Sequence, residues 1–244
     1  MKKYLKSNLN SYQQPVGFQV QQLLPVSYQY EKLTGQFVEL LPLSDTCPND
    51  LELEQLWQTI STEPDARCWT YLPYEGFQSR DELKHALQNV FGFHPLYHYL
   101  IKMNDEVVGW IALLNPRLAH AAIEIGNVYF SHRLKHTTAA TEAVFLLLKQ
   151  CFDYNFRRIE WKFDDLNEPS KRAALRFGFY FEGLFRQDRV TKGRNRNTAW
   201  FSIIDEEWSE LKSAYDVWLS PDNFDERAKQ KQRLNDVIEQ FRPL

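Results

Sequence analysis

The sequence is poor in cysteine, with only Cys47, Cys68 and Cys151 among 244 residues. Their number is odd and their spacing is wide, so neither a disulfide framework nor a CxxC-type zinc site is indicated. A metal-binding pair at His94 and His98 is also disfavoured, because the intervening Pro95 breaks the helix that such a pair needs. The sequence therefore predicts no metal site.

Long apolar runs and an excess of one charge are also lacking. No stretch approaches the roughly 20 apolar residues that span a bilayer, and the first ten residues contain lysines but no apolar core of a secretory signal. The 29 basic and 32 acidic residues nearly balance, so no overall field favours nucleic acid or an anionic membrane. We expect a cytoplasmic protein that binds neither.

Three common catalytic signatures are missing: the GxSxG nucleophile elbow, the Walker phosphate loop and the GxGxxG dinucleotide loop. What is plentiful is apolar and aromatic, at 43% and 15% of the residues. Together with the length, this composition is typical of a globular protein with one well-filled core.

Hydrophobic periodicity predicts a mixed α/β fold. Strands are expected at residues 37–41, 97–103, 107–114, 121–130, 158–163, 179–190 and 198–204. Helices are expected at residues 50–60, 80–91, 137–156, 168–177, 206–219 and 224–241. The strand at 107–114 is apolar without alternation, as in a strand that is covered on both faces. The helix at 137–156 has apolar residues at helical spacing along one face.

The chain is predicted to have three parts. Residues 1–35 have no sustained period, but Leu23, Leu24, Val26 and Tyr28 are poor choices for a free tail. We therefore predict an extended arm over residues 1–35, a main domain over residues 36–205 and a helical extension over residues 206–244. The helices of the extension offer a surface for a possible homodimer.

The junction at residues 128–141 combines the end of a strand, a polar loop and a helix that begins with small residues. The first N–H groups of a helix have no internal partner and lie at the positive end of its dipole, where anions bind. The small side chains from Thr137 to Ala140 would let a pyrophosphate approach. A junction of this kind without a ligand is also common, and the motif alone leaves both possibilities open.

Two motifs further along the chain resemble the GNAT N-acetyltransferase superfamily. They are D-x-x-N-x-x-S at residues 164–170 and R-F-G-F at residues 176–179, and they follow the strand, loop and helix in the family's order. The likeness covers roughly residues 37–205 and is nearest to the ribosomal-protein-type (RimJ/RimL-like) branch. It implies a mostly antiparallel central sheet flanked by helices. It also implies acetyl-CoA as co-substrate and a primary amine as acceptor, either a protein N-terminus or a small molecule.

The resemblance also implies which residues bind the coenzyme. The backbone of Val128, Tyr129 and Phe130 would pair with the pantetheine arm, and Asn167 would steady it, although asparagine is also a good helix cap. The residues around the pyrophosphate would be Lys135, His136, Thr137, Thr138, Ala139, Ala140 and Thr141. The family's loop pattern has Gln/Arg where this chain has Lys135 and Gly where it has Thr138. A β-carbon then stands where glycine allows close approach and positive φ.

Glu124 is the candidate general base for deprotonating the amine. It interrupts an apolar strand and shares a face with Gly126 and Val128, near N–H groups that could stabilise an oxyanion. Its spacing to Val128 resembles that of the base in GNAT histone acetyltransferases. The alternatives are an ion pair with a neighbouring Arg or Lys, or exposure to solvent.

Ser170 is the candidate acid for protonating the leaving thiolate. Many GNAT enzymes use a tyrosine seven residues after the asparagine, but that position is Ala174 here. The ribosomal-protein-type branch resembles this chain in having a serine at the position of Ser170. A serine in the first turn of a helix is also explained without such a role.

Other features allow further hypotheses. The basic hairpin tip at residues 192–196 could touch a coenzyme phosphate or nucleic acid, but a solvated turn is favoured. Aromatic residues could shape an acceptor pocket, but each is more readily explained as core: Trp69, Tyr71, Tyr74, Trp161 and Trp200. The rival function is a non-catalytic acyl-CoA-binding or scaffolding module that kept the fold.

Overall fold

The computed structural model describes residues 7–20, 28–44, 48–91, 97–227 and 229–242. These ranges contain ten strands and six α-helices. The strands are β1 (Ser7–Leu9), β2 (Pro15–Gly17), β3 (Leu33–Thr34), β4 (Glu39–Pro42), β5 (Tyr97–Met103), β6 (Glu106–Arg117), β7 (Ala122–Phe130), β8 (Arg158–Asp164), β9 (Tyr180–Thr191) and β10 (Arg194–Ile204). The helices are α1 (Asp50–Ser61), α2 (Arg80–His85), α3 (Thr138–Asp153), α4 (Glu168–Arg176), α5 (Asp205–Leu219) and α6 (Leu234–Phe241).

Eight of the strands form one sheet in the order β3-β4-β5-β6-β7-β8-β10-β9. Every neighbouring pair is antiparallel except β7 and β8, which are parallel and joined by α3. Parallel neighbours need a crossover connection, and α3 supplies it. The predicted mixed α/β class with a mostly antiparallel, helix-flanked sheet is confirmed.

Helices cover both faces of the sheet. On one face α3, α5 and α6 pack against Ile111 of β6 and Ile125 of β7, and on the other α1 and α2 pack around Val107 and Trp110 of β6. β6 therefore contributes to both cores, which explains its continuous apolar run. No helix in the described ranges is long and apolar enough to span a membrane.

Several predicted bounds are wrong because side chains compete for the backbone. The carboxylate of Glu142 accepts the N–H groups of Gln36 at 2.8 Å and Phe37 at 2.6 Å, so the first predicted strand begins at Glu39 instead of residue 37. The predicted helix at 80–91 ends as an α-helix at His85 and continues as a π-turn over Ala86–Val90.

The last predicted helix, at residues 224–241, is only half formed. Oδ1 of Asp225 accepts the N–H groups of Arg227 at 2.9 Å and Lys229 at 2.8 Å, and these local bonds replace helical ones. Helix α6 therefore begins only at Leu234. Its apolar face and that of α5 are buried against the rest of the chain, so these faces are not free for the predicted homodimer.

The arm predicted at residues 1–35 is partly integrated into the sheet. β1 and β2 form a small separate hairpin, whereas β3 pairs with β4 and extends the main sheet beyond the predicted boundary at residue 36. Tyr28 packs on the core, and its hydroxyl donates to Oε1 of Gln150 at 2.6 Å. Leu23, Leu24 and Val26 lie outside the described residues.

Candidate active site

The parallel strands β7 and β8 separate to form a fork. Their pairing runs from Ala122 opposite Arg158 to Ile125 opposite Trp161, and β7 then continues to Phe130 alongside β6 only. From Gly126 onwards one edge of β7 has no strand partner among the described residues, so its backbone groups are available to a ligand. The fork thus provides an extended groove between two strands.

A β-bulge shapes the β7 arm of the fork. Ala112 of β6 pairs with Gly126 of β7, and Trp110 pairs with Tyr129. Two steps along β6 therefore correspond to three steps along β7, which contains one extra residue there. Asn127, in the bulge, has a positive φ of 43°, which asparagine tolerates better than most residues. The bulge re-aims the backbone of the strand at the point where β8 departs.

Two side chains hold Asn127 in this conformation. Its Nδ2 donates to Nε2 of His98 at 2.7 Å, and its Oδ1 accepts from the hydroxyl of Tyr74 at 2.8 Å. Since an amide nitrogen only donates, His98 must accept and is neutral. Burial lowers the pKa of His98 from 6.5 to about 4. Sequence reasoning missed this network, although an asparagine inside an apolar strand was a usable signal.

The neutral His98 predicts a pH-dependent stability. Because the unfolded chain binds this proton more readily, the free energy of unfolding should fall as the pH drops from about 6.5 to about 4, by at most about 3 kcal/mol. Urea denaturation at a series of pH values measures it. His98→Gln keeps a side-chain acceptor for Asn127 but cannot titrate, so the difference from the wild type should change across this window. Parallel losses in both proteins would contradict the prediction.

The start of α3 presents free N–H groups near the fork. Thr137 is the N-cap, and its Oγ1 accepts the N–H of Ala140 at 3.2 Å. The N–H groups of Thr138 and Ala139 have no acceptor among the residues that the structure describes. A cleft of about 470 Å³ borders this helix start. The position can bind an anion, as a helix terminus with two unpaired donors does.

Three details of the predicted pyrophosphate loop need correction. Thr138 does not occupy the positive-φ position; His136 does, with φ 64°, so a residue other than glycine at 138 costs no backbone strain. The side chain of Thr141 is buried, and its Oγ1 accepts from Arg176 at 2.8 Å. Ala139 and Ala140 are buried as well. The exposed part of the loop is therefore Lys135 and His136, followed by the half-buried Thr137 and Thr138.

The start of α4 follows β8, the other arm of the fork. Asn167 caps this helix, since its Oδ1 accepts the N–H of Ser170 at 3.1 Å. The hydroxyl of Ser170 accepts from Nε1 of Trp161 at 2.9 Å, and Trp161 is the last β8 residue that pairs with β7. Ser170 is thus fixed beside the branch point, and its own proton remains available to donate. Ala174 lies on the buried face of α4 and is fully buried.

Glu124 lies on the opposite face of the sheet from α3. Glu124 is 7% exposed. Its carboxylate accepts from Nδ2 of Asn115 at 2.7 Å and from Nζ of Lys162 at 2.6 Å. Of the two alternatives to a general base at Glu124, the ion pair with a neighbouring lysine is present in the structure. The predicted face shared with Gly126 is present, because a β-carbon on Gly126 would lie 3.4 Å from Oε1 of Glu124. The face predicted to be shared with Val128 is not, because the bulge at Asn127 shifts the alternation and Val128 packs against the core on the α3 side. The side chain of Leu114 also covers Gly126, because the same β-carbon would lie 2.7 Å from its Cδ1.

The aromatic segment, residues 68–74, joins the two arms of the fork. Tyr74 reaches the bulge on β7, while the hydroxyl of Tyr71 donates to the carbonyl of Leu166, just before α4, at 2.9 Å. Nζ of Lys192, at the tip of the β9–β10 hairpin, donates to the carbonyl of Trp69 at 2.8 Å. The favoured interpretation of that tip as a solvated turn holds for Gly193, Arg194 and Asn195, which are exposed, whereas Lys192 contacts the aromatic segment.

The predicted aromatic residues divide between core and site. Trp69 stacks on Tyr129 with a centroid separation of 4.7 Å and an interplanar angle of 19°, and both are buried in the core under α1 and α2. Trp161 is buried under α4. Trp200 is half-buried on β10 and lies beneath Nζ of Lys162, 4.1 Å from its ring centroid.

Known proteins share this architecture. The sequence profile of the acetyltransferase (GNAT) domain matches residues 44–180. A GCN5-related N-acetyltransferase of Brucella melitensis is 37% identical and superposes with a TM-score of 0.82, covering 86% of this chain and 95% of its own. A GNAT-family protein of Chromobacterium violaceum is 35% identical with a TM-score of 0.73, covering 80% and 98%.

A more distant structure shares the fold alone. It is the Salmonella typhimurium acetyltransferase that modifies the N-terminal serine of a 50S ribosomal protein, with 18% identity and a TM-score of 0.57 over 70% of this chain and 96% of its own. Among curated protein sequences, none matches this chain significantly. The profile match and the two nearer structures show that the chain belongs to the GNAT acetyltransferase family, whose co-substrate is acetyl-CoA.

Proposed function

We propose that this chain is an N-acetyltransferase that transfers the acetyl group of acetyl-CoA to a primary amine bound in the same complex. The observation that carries the proposal is the fork: its β7 arm exposes a bulged backbone, its β8 arm leads to Ser170, and Glu124 lies on the adjacent face. Acid, base and backbone donors therefore meet at one branch point.

The residues of the fork fit coenzyme A. The unpaired edge of Val128, Tyr129 and Phe130 suits the amides of a pantetheine arm, and the Thr138 and Ala139 N–H groups suit a pyrophosphate. Asn167 uses its Oδ1 to cap α4, which leaves its Nδ2 to donate. Lys135 and His136, both exposed, lie beside this helix start. Bound acetyl-CoA supplies the activated acetyl thioester.

Each catalytic requirement has a candidate in the chain. Glu124 takes the proton of the amine, directly or through a water, because Lys162 and Asn115 hold its carboxylate in place. The backbone N–H groups near Val128 and Tyr129 stabilise the negative charge that develops on the acetyl oxygen. Ser170 donates its proton to the departing sulfur, since its oxygen already accepts from Trp161.

The finer assignment is to the ribosomal-protein-type (RimJ/RimL-like) branch. The serine three residues after Asn167 supports it, as does the fold shared with the Salmonella enzyme. The rival function, a module that binds acyl-CoA without turnover, draws support only from the loss of the tyrosine at Ala174. Release of free thiol from acetyl-CoA in the presence of amines separates the two.

Acetyl-CoA binding provides the first test, with a variant designed from the helix cap. We expect micromolar affinity, about −8 kcal/mol. Thr138→Pro removes one N–H at the first helical position, where proline is well tolerated, and Thr137 already has the extended backbone that a residue before proline needs. Losing one charge-assisted hydrogen bond should weaken binding by roughly 10- to 100-fold in calorimetry. Thr138→Ala, which keeps the N–H, should bind as the wild type.

The outcomes separate the parts of the proposal. If the folded wild type does not bind coenzyme A, the enzyme and the binding module both fail. If Thr138→Pro binds as tightly as Thr138→Ala, the pyrophosphate does not use this N–H group. If acetyl-CoA binds but no primary amine promotes thiol release, the non-catalytic module is the better account.

A further inference from the structure

Arg196, on the face of the fork that carries Glu124, has no ionic partner among the residues that the structure describes. Arg196 lies on β10 near the end of β8, because Thr198 pairs with Asp164 and Nε of Arg196 donates to Oγ1 of Thr198 at 3.2 Å. Neither of its two Nη groups forms a hydrogen bond or ion pair with any residue in the described ranges. The guanidinium is nevertheless half-buried.

The neighbouring carboxylates form no ion pair with Arg196, and most of them pair with other cations. Lys162 pairs with Glu124 at 2.6 Å, Arg158 and Arg117 pair with Glu160 at 2.8 and 2.6 Å, and Arg189 pairs with Asp188 at 3.4 Å. The remaining carboxylate nearby, Asp164, accepts the N–H of Leu166 at 3.1 Å. Arg158 also pairs with Glu182 at 2.5 Å, so the named cations and carboxylates of this face balance in number, but Arg196 forms no ion pair with any of these carboxylates.

The surroundings of Arg196 disfavour its positive charge and include a second donor without an acceptor among the described residues. Burial lowers the pKa of Arg196, the nearby Arg189 guanidinium lowers it further, and the carboxylates of Asp164, Glu124 and Asp188 oppose this only in part. Trp200, two positions beyond Thr198 on the same face, has a buried Nε1 with no acceptor in the part of the chain that the structure describes. Its ring is packed by Phe185, with 4.8 Å between centroids.

We propose that the acceptor amine carries an anionic oxygen group, a carboxylate or a phosphate, and that Arg196 binds this group on the face that carries Glu124. The inference rests on the proposed function and names its substrate class. A guanidinium with two free Nη groups binds carboxylate and phosphate in a bidentate manner. Binding the anion there would hold the amine near the carboxylate of Glu124, because Lys162, the ion-pair partner of Glu124, lies over the ring of Trp200 on the same face as Arg196.

The test measures binding of four small amines to the protein saturated with coenzyme A. The set is 3-aminopropanoate, 2-aminoethyl phosphate, the uncharged 3-aminopropanamide and 1,3-diaminopropane. We expect one or both anionic amines to bind at least about tenfold more tightly than the amide, and the diamine to bind no better than the amide. Whether the carboxylate or the phosphate is preferred identifies the anion.

Two variants locate the preference. Arg196→Met removes the donors, so the anionic amines should bind about as tightly as the amide while the affinity for acetyl-CoA is unchanged. Arg196→Glu reverses the charge and should bind the diamine more tightly than the amide. Arg194→Met is the matched control, because Arg194 is an exposed arginine two residues earlier on the same strand. It should keep the preference.

Failure of the inference is distinguishable from failure of the proposed function. If acetyl-CoA binds but the wild type binds the amide as tightly as the anionic amines, or binds none of the four, the inference is wrong and the function stands. This comparison needs no variant. If Arg196→Met keeps the preference, the anion site is elsewhere and the inference is wrong. If acetyl-CoA does not bind, the proposed function fails and the inference with it.

Discussion

Replacing Glu124 by glutamine is expected to lower the rate of acetyl transfer by roughly 10²–10⁴, the usual contribution of a general base. Glutamine keeps the shape of the side chain and can still accept from Asn115 and Lys162, but it cannot take a proton. Acetyl-CoA affinity should hardly change, because Glu124 lies on the far side of the sheet from α3. Single-turnover measurements of thiol release, with acetyl-CoA affinity from calorimetry, check both parts.

The ion pair requires a matched control, because Glu124→Gln also leaves Lys162 without its nearest negative charge. Lys162→Met removes the cation of this 2.6 Å ion pair and retains the carboxylate of Glu124. If the pair matters only for stability, both variants should melt lower and lose activity to a similar extent. If Glu124 is the base, Glu124→Gln should lose far more of the single-turnover rate than Lys162→Met. Normal turnover in Glu124→Gln would move the role to Asp164 or Asp165.

Ser170→Ala is expected to slow the chemical step by roughly 10²-fold or more with little change in acetyl-CoA affinity. A proton given to the departing sulfur matters only in the transition state, so the loss should appear in the single-turnover rate. The variant also leaves Nε1 of Trp161 without its acceptor, which should cost about 1–3 kcal/mol of stability. A melting curve must therefore accompany the kinetics.

Two further variants separate proton donation from packing. Ser170→Thr keeps the hydroxyl and should recover most of the rate that Ser170→Ala loses. Trp161→Phe removes the indole N–H while leaving the serine, so it tests whether orientation by Trp161 contributes. If Ser170→Ala reacts at the wild-type single-turnover rate, Ser170 is only a first-turn residue and another group protonates the thiolate.

Asn167 offers a contrast on the same helix start. Asn167→Ala should weaken acetyl-CoA binding by about 0.5–1.5 kcal/mol and also lose the cap on α4, about 1 kcal/mol of stability. Asn167→Asp keeps the capping oxygen but removes the Nδ2 donor. Weaker binding with unchanged stability in the aspartate variant would assign the donor to the coenzyme.

Much of the fold could be predicted from the sequence, because its signals are local. β5 has the predicted bounds, and α3, β7 and β8 differ from theirs by at most three residues at either end. The apolar face of α3, the capping asparagine of α4 and the unbroken apolar run of β6 each report the burial of their own element. Where bounds failed, at β4 and α6, side chains such as Glu142 and Asp225 had taken the backbone donors.

The candidate site was only partly predictable, because its residues are defined by partners distant in the chain. The sequence alone indicated Glu124, Asn167 and Ser170, each by an irregularity or a motif within its own element. Only the tertiary structure paired Glu124 with Lys162 and fixed the bulge at Asn127 through His98. It left Arg196 without an ionic partner among the residues that it describes. It also brought Lys192 to the carbonyl of Trp69, 123 residues away. Periodicity encodes which side of an element is buried, whereas the charge balance of a site depends on which elements meet there.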